Sequence, residues 1–199
     1  MDKNEAYNKI VELGMFDKFQ LEQIKLGIFT GLSVAAYANP DYSVEKMRFI
    51  REGLEEGFDF TQYVDYDFDE GQIELIKKGY RAGISKDSID LYAMPYFNEY
   101  QMEQILDGFI YNTKCEDGNK IPVDIYAKPE YDSDQMYEIL IGLISNIDVY
   151  KYADSNIPAK DMRGIREDLE LKKKLDSLDN VITLMSIEQS NINDIETNN

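Results

Sequence analysis

Residues 43–67 read SVEKMRFIREGLEEGFDFTQYVDYD, and residues 68–83 continue FDEGQIELIKKGYRAG. One pattern starts twice in this stretch: a capping residue, an apolar triad, a central glycine, and a second glycine four residues later. Working outward, the central glycines are Gly27, Gly53, Gly79, Gly108 and Gly142, separated by 26, 26, 29 and 34 residues. A column of tyrosines, Tyr37, Tyr63, Tyr92, Tyr126 and Tyr152, advances by 26, 29, 34 and 26. A sixth copy follows 26 residues after Gly142, with Asp168 in the glycine slot. Self-similarity at a fixed period marks a tandem array in which neighbouring copies build a shared core. The two insertions, of three residues in the third copy and eight in the fourth, fall between the central glycine and the tyrosine.

Each copy carries its own folding signals. Asp17/Gln20, Ser43/Lys46, Asp69/Gln72, Asn98/Gln101 and Asp132/Gln135 pair a capping residue with a long polar side chain three places on. Four of the five end in glutamine, the capping-box form that satisfies orphan N–H groups at a helix start. Apolar residues then recur at i, i+3 and i+7, as in Leu21/Ile24/Ile28, Met47/Ile50/Leu54, Ile73/Ile76/Tyr80, Met102/Ile105/Phe109, Met136/Ile139/Leu143 and Met162/Ile165/Leu169. That spacing predicts an amphipathic helix of about three turns. Gly31, Gly57, Gly83, Asn112 and Asn146 are expected left-handed stops. Ser33, Asp59, Ser88 and Asp148 are expected caps of a second, shorter helix. Tyr-Ala-x-Pro at 37–40, 92–95 and 126–129 ends it, because the residue before proline avoids the helical region. A glycine costs about 1 kcal/mol inside a helix relative to alanine. Its recurrence at one position therefore predicts close crossing by a neighbouring helix.

The expected fold is all-α, an α-solenoid of five to six helical-hairpin repeats with terminal capping helices. Residues 1–16 form an N-terminal capping helix, with Ala6, Ile10 and Leu13 on one face. Tandem repeats occupy 17–157, and the last repeat with a C-terminal capping helix occupies 158–186. The tail, 187–199, reads IEQSNINDIETNN, a composition expected to be frayed or disordered.

With 39 acidic and 21 basic residues, the net charge is −18. Direct binding to nucleic acid or an anionic membrane needs a basic footprint, so neither is expected. No apolar run of signal-peptide or membrane-spanning type occurs, and the expected location is cytoplasmic. The absence of histidine removes the commonest general base and metal ligand. Cys115, beside Glu116 and Asp117, lacks a histidine partner and reads as a surface-loop thiol. The acids of Asp65-Tyr-Asp-Phe-Asp-Glu are spaced like those of a calcium loop, but Glu70 stands where glycine is required and Ile76 where a bidentate glutamate is required. No cofactor, metal or catalytic residue is assigned.

Residues 52–74 contain nine acids and no base, whereas 1–51 balance seven acids against seven bases. One reading is a solvated face that maintains solubility. The sharper one is a steering surface for a basic partner protein, with Glu52, Glu55, Glu56, Asp59, Asp65, Asp67 and Glu70 supplying charge and Tyr63, Tyr66 and Phe68 supplying packing. A passive structural array is the main alternative, followed by carboxylate-only catalysis in a concave groove. The insertion 112–122 is a second candidate edge for a partner.

Gln101–Phe109 with 92–95, and Gln135–Leu143 with 148–153, carry a further likeness. Over 17–155 the chain resembles the tandem Q-M-x-x-I-x-x-G-L…D-V-x-x-Y-A-x-P repeat proteins of bacterial mobile elements. Some small acidic proteins of such elements inhibit host defence, anti-CRISPR proteins included. The resemblance therefore implies an inhibitor that blocks a nucleic-acid-binding nuclease. Tyr66 and Ser155 stand where proline is expected, and Pro122 occupies the short-helix cap slot of the fourth copy.

Overall fold

The structure, a computed structural model, describes residues 2–115 and 118–197, with side chains to Ser186. Among the described residues there are eight α-helices and no strand: α1 (Lys3–Glu12), α2 (Lys18–Thr30), α3 (Val44–Glu56), α4 (Glu70–Arg81), α5 (Lys86–Tyr92), α6 (Glu99–Lys114), α7 (Ser133–Ile144) and α8 (Ala159–Thr197). Four 3-10 turns lie between them, Val34–Ala36, Thr61–Tyr63, Val123–Ile125 and Val149–Lys151. The chain divides into two compact units, 1–102 and 103–199. No helix among the described residues is long and apolar enough to cross a membrane.

The longer helix of each copy starts where the caps predict. Asp17, Asp69 and Asp132 each close a full capping box with the glutamine three residues on. Asn98 and Gln101 make the same reciprocal bonds. The glutamine has a second task that the capping rule does not require. Its Nε2 donates to the end of its copy: from Gln20 to the Pro40 and Tyr42 carbonyls, from Gln72 to Phe97 O, and from Gln135 to Ser155 O and Ile157 O. Glutamate could cap the helix but has no proton for these carbonyls, which is why the amide is the residue at this position. The middle residues of the triads, Ile24, Ile50, Ile76, Ile105 and Ile139, are each 0% exposed. Burying one such side chain contributes roughly 1.5–3 kcal/mol.

The recurring glycines have a different cause from the one expected. In four copies the close neighbour is the tyrosine of the same copy and no crossing helix: a Cβ at Gly27, Gly79, Gly108 or Gly142 would overlap the hydroxyl of Tyr37, Tyr92, Tyr126 or Tyr152. Each hydroxyl lies across the helix at the glycine and donates to the carbonyl four residues earlier, Gln23 (3.3 Å), Leu75 (3.0 Å), Gln104 (3.1 Å) and Glu138 (3.1 Å). These four tyrosines are at most 1% exposed. The second copy breaks the rule because Phe60 stands where the other copies have Val34, Ile89, Val123 and Val149. Its ring fills the Gly53 slot and stacks on Phe49 at 4.6 Å. Displaced, the Tyr63 hydroxyl donates to Asp90 Oδ1 at 2.7 Å.

Burial pushes the Tyr37 hydroxyl up to about 12 and raises Tyr63, Tyr92, Tyr126 and Tyr152 further. A raised acid holds its proton more tightly when folded. The stabilisation is therefore complete below the unfolded tyrosine value of about 10 and is lost as pH rises through the folded value. In an alkaline titration, loss of the far-ultraviolet helix signal is expected to coincide with the late rise in tyrosinate absorbance. Ionisation of all the tyrosines with the helices intact would show that the buried hydroxyls carry no such linkage.

Other local expectations shift. Gly31, Gly57, Gly83 and Asn146 do adopt positive φ, but Asn112 lies inside α6. Its amide pins Ile121, accepting from Ile121 N at 2.7 Å and donating to Ile121 O at 2.9 Å, so the eight-residue insertion lengthens the helix before it loops. The three-residue insertion lets the third copy form α5, capped by Ser85 and not by Ser88. In α1, Ile10 packs on the core formed by Ile24, Tyr37, Met47, Ile50 and Val64, with Phe16 beside it. Leu13 is 62% exposed, since the helix has ended before it. In the second unit, α8 packs on α7 through Met162 and through Arg163 and Arg166, both bonded to the buried Glu138. Beyond those turns α8 does not act as a cap: Leu175, Leu178, Ile182 and Met185 are exposed. The backbone of the 187–199 tail is helical to Thr197, and its side chains lie outside the described residues.

Candidate partner-binding cleft

Glu45, Phe49 and Glu52 share one face of α3, and Glu70, Ile73, Glu74 and Lys77 one face of α4, because three-to-four-residue spacing returns to the same side of a helix. Between these faces lies a cleft of about 350 Å3, completed by Arg48 and Phe68. A neighbouring recess of about 290 Å3 shares Glu45, Phe49, Phe68 and Ile73 and adds Tyr63, Tyr66 and Asp67. Both bring the apolar Phe49, Phe68 and Ile73 together with charged side chains. The lining of the cleft carries four carboxylates, Glu45, Glu52, Glu70 and Glu74, against two bases, the exposed Arg48 and the buried Lys77.

The nine acids of 52–74 are less uncompensated in space than along the chain. Bases from just outside the segment reach back to them. Lys77, 5% exposed, bonds Glu52 at 2.6 Å and Glu74 at 2.9 Å. Arg51 bonds Glu52 and Glu55, Arg81 bonds Glu56 and Glu74, and Lys46 meets Asp67 at 3.2 Å. The Arg81 guanidinium holds the Glu56 carboxyl below its usual range. Asp59 accepts from the Thr61 N–H and hydroxyl, which lowers its pKa as well. Asp69 caps α4, and among the described residues no group of three His, Cys, Asp or Glu side chains is placed to hold a metal ion.

Of the ten residues singled out from the sequence, Glu52, Phe68 and Glu70 line the cleft, and Tyr63, Tyr66, Asp67 and Phe68 the recess. Tyr66 and Phe68 meet edge to face at 5.5 Å. Tyr63 is only 3% exposed, so it offers a partner almost no surface. Glu55, Glu56, Asp59 and Asp65 lie outside both openings. Glu45, Arg48, Phe49 and Ile73 were missed because acids were counted along one segment; the i, i+4, i+7 run of Glu45, Phe49 and Glu52 was the available signal. The 112–122 insertion holds Cys115, which is partly exposed; Glu116 and Asp117 lie outside the described residues.

Comparison with protein-family models, with curated proteins and with solved structures returned no match.

Proposed function

We propose that the protein is a non-enzymatic binding protein whose copies stack as an α-solenoid and whose α3–α4 cleft receives a long basic side chain of a partner protein. The observation that carries this reading is the cleft itself, whose lining brings the carboxylates Glu45, Glu52, Glu70 and Glu74 together with the apolar Phe49, Phe68 and Ile73. An arginine or lysine has the matching chemistry: an aliphatic stem to cover the apolar side chains and a charge for the carboxylates. Glu45 and Glu70 are exposed, while Glu52 and Glu74 are already engaged by Lys77. The first two are therefore the carboxylates available to a partner. A nucleic-acid-binding nuclease, the class implied by the mobile-element resemblance, exposes such basic side chains where it grips phosphate. Its occupation by this protein would exclude the nucleic acid.

The test is recovery of the partner from a bacterial lysate, followed by binding measured across a salt series. Screening acts over about 8 Å at physiological ionic strength, so affinity is expected to fall as salt rises. Changing Glu45→Gln and Glu70→Gln together is expected to weaken binding about tenfold, roughly 1.4 kcal/mol, and to flatten the salt slope. Asp65→Asn, outside the cleft, serves as the control. Unchanged affinity and slope in the double variant would place the interface elsewhere. A nuclease partner that binds its nucleic acid undisturbed in the complex would remove the inhibitor reading alone.

A further inference from the structure

Helix α8 spans 39 residues, yet only its first turns are covered. Met162 is buried and Ile165, Arg166, Leu169 and Glu170 are half-buried, whereas every residue from 171 to 186 is exposed. Within that exposed stretch Leu171, Leu175, Leu178, Ile182 and Met185 follow steps of four, three, four and three, and each is between 53% and 65% exposed. This is the a/d spacing of a heptad repeat, with Leu175 and Ile182 at a and Leu171, Leu178 and Met185 at d. The side of α8 turned toward its own unit is marked by Lys173, whose Nζ donates to Ser145 O at 2.9 Å and Asn146 O at 3.0 Å. At about 100° per residue the seam lies about 160° around the helix from Lys173. A second helix can therefore approach the seam without meeting the body that α8 is anchored to.

We propose that this seam pairs with the same seam of a second copy of the chain, forming a parallel, in-register, two-stranded coiled coil. The flanking charges select that occupant. In this register Glu167 and Lys174 take g positions, and Lys172 and Asp179 take e positions. A parallel pair sets each g against the e′ five residues on. Glu167 then meets Lys172 of the partner helix and Lys174 meets Asp179, each twice by symmetry, with no like-charge contact. Antiparallel pairing sets g against g′ and e against e′; Lys172 then meets Asp179 twice, but Lys174 faces Val181 and gains no acid, so the parallel pair makes four such ion pairs against two. Ile182 at a with leucine at d favours two strands over three or four.

Sedimentation equilibrium of the full chain over a concentration series reads this directly. The mass is expected to rise from the 23.1 kDa monomer toward twice that value. Leu178→Asp, at a position exposed in the monomer, is expected to stay monomeric with its helix signal intact. Asp179→Lys should raise the dissociation constant about tenfold, and adding Lys174→Asp should restore it. Ile182→Cys in a Cys115→Ser background should form an interchain disulfide, which only parallel in-register pairing permits. A monomer at every concentration, undiminished association of Leu178→Asp, or failure of the charge swap to restore pairing would overturn the proposal. So would monomeric adsorption to phosphatidylserine vesicles that is lost in Leu178→Asp.

Discussion

Glu138→Ala is expected to destabilise the protein by about 3–5 kcal/mol, the usual consequence of deleting one partner from a buried ion pair. Glu138 is 0% exposed. Its Oε1 accepts from Arg163 Nε at 2.7 Å and its Oε2 from Arg166 Nε at 2.9 Å. Arg166 is itself largely covered and would keep Glu170, at 2.7 Å, and the exposed Glu167, at 3.7 Å. Removing the carboxylate strands a covered guanidinium and opens a cavity at the junction of α7 and α8. Glu138→Gln is expected to cost less, because the first unit already contains that arrangement. There Arg51 Nε donates to Gln23 Oε1 at 3.0 Å while Glu55 takes the other edge of the guanidinium at 2.7 Å. Denaturant unfolding followed by the helix signal checks both variants against Glu167→Ala, whose exposed 3.7 Å pair should be worth under about 1 kcal/mol. A Glu138→Ala cost no larger than that of the control would mean that the pair is dispensable.

The comparison of Glu138 with Gln23 shows how far the sequence could be read. Both stand four residues before the central slot of their copy, and Arg51 and Arg166 stand two before the slot of the next. A repeat alignment therefore exposes a polar link between successive copies. Arg48 is the counterpart of Arg163, five before the slot. With neutral Gln23 in the place of Glu138, Arg48 has no counterpart of the Arg163–Glu138 pair and lines the α3–α4 cleft instead. Caps, triads and stops were legible because they are local, each depending on residues within a turn or two. The cleft was harder to see because its walls come from two copies. Counting charge along 52–74 hid the bases Lys46, Arg51, Lys77 and Arg81 that fold back onto those acids. The 3-10 geometry of the shorter elements was also illegible, since the five residues between the left-handed stop and the buried tyrosine in the first, second and fifth copies, 32–36, 58–62 and 147–151, suit a single α-turn and a 3-10 turn alike.

The glycine column yields the second large effect. Gly79→Ala is expected to destabilise by about 2–3 kcal/mol even though alanine is favoured over glycine inside a helix by about 1 kcal/mol. The new Cβ would overlap the Tyr92 hydroxyl, and Tyr92 is 0% exposed, so its ring has nowhere to retreat. Tyr92→Phe alone loses the bond to Leu75 O, 3.0 Å long, at a cost of about 1 kcal/mol. Combined, the two substitutions should cost little more than Tyr92→Phe alone. With the hydroxyl gone, the nearest atoms to the added methyl are Tyr92 Cζ at 3.3 Å and Ile89 Cγ1 at 3.4 Å, tight but accommodable contacts. The coupling energy in the double-mutant cycle is then about 2 kcal/mol in favour of the pair, far above the few tenths expected of independent sites. Had the glycine been kept for a crossing helix, removing the tyrosine hydroxyl would bring no relief and the two costs would simply add. Denaturant midpoints of the four proteins in the cycle distinguish these outcomes, and additivity would return the glycine column to the helix-crossing explanation.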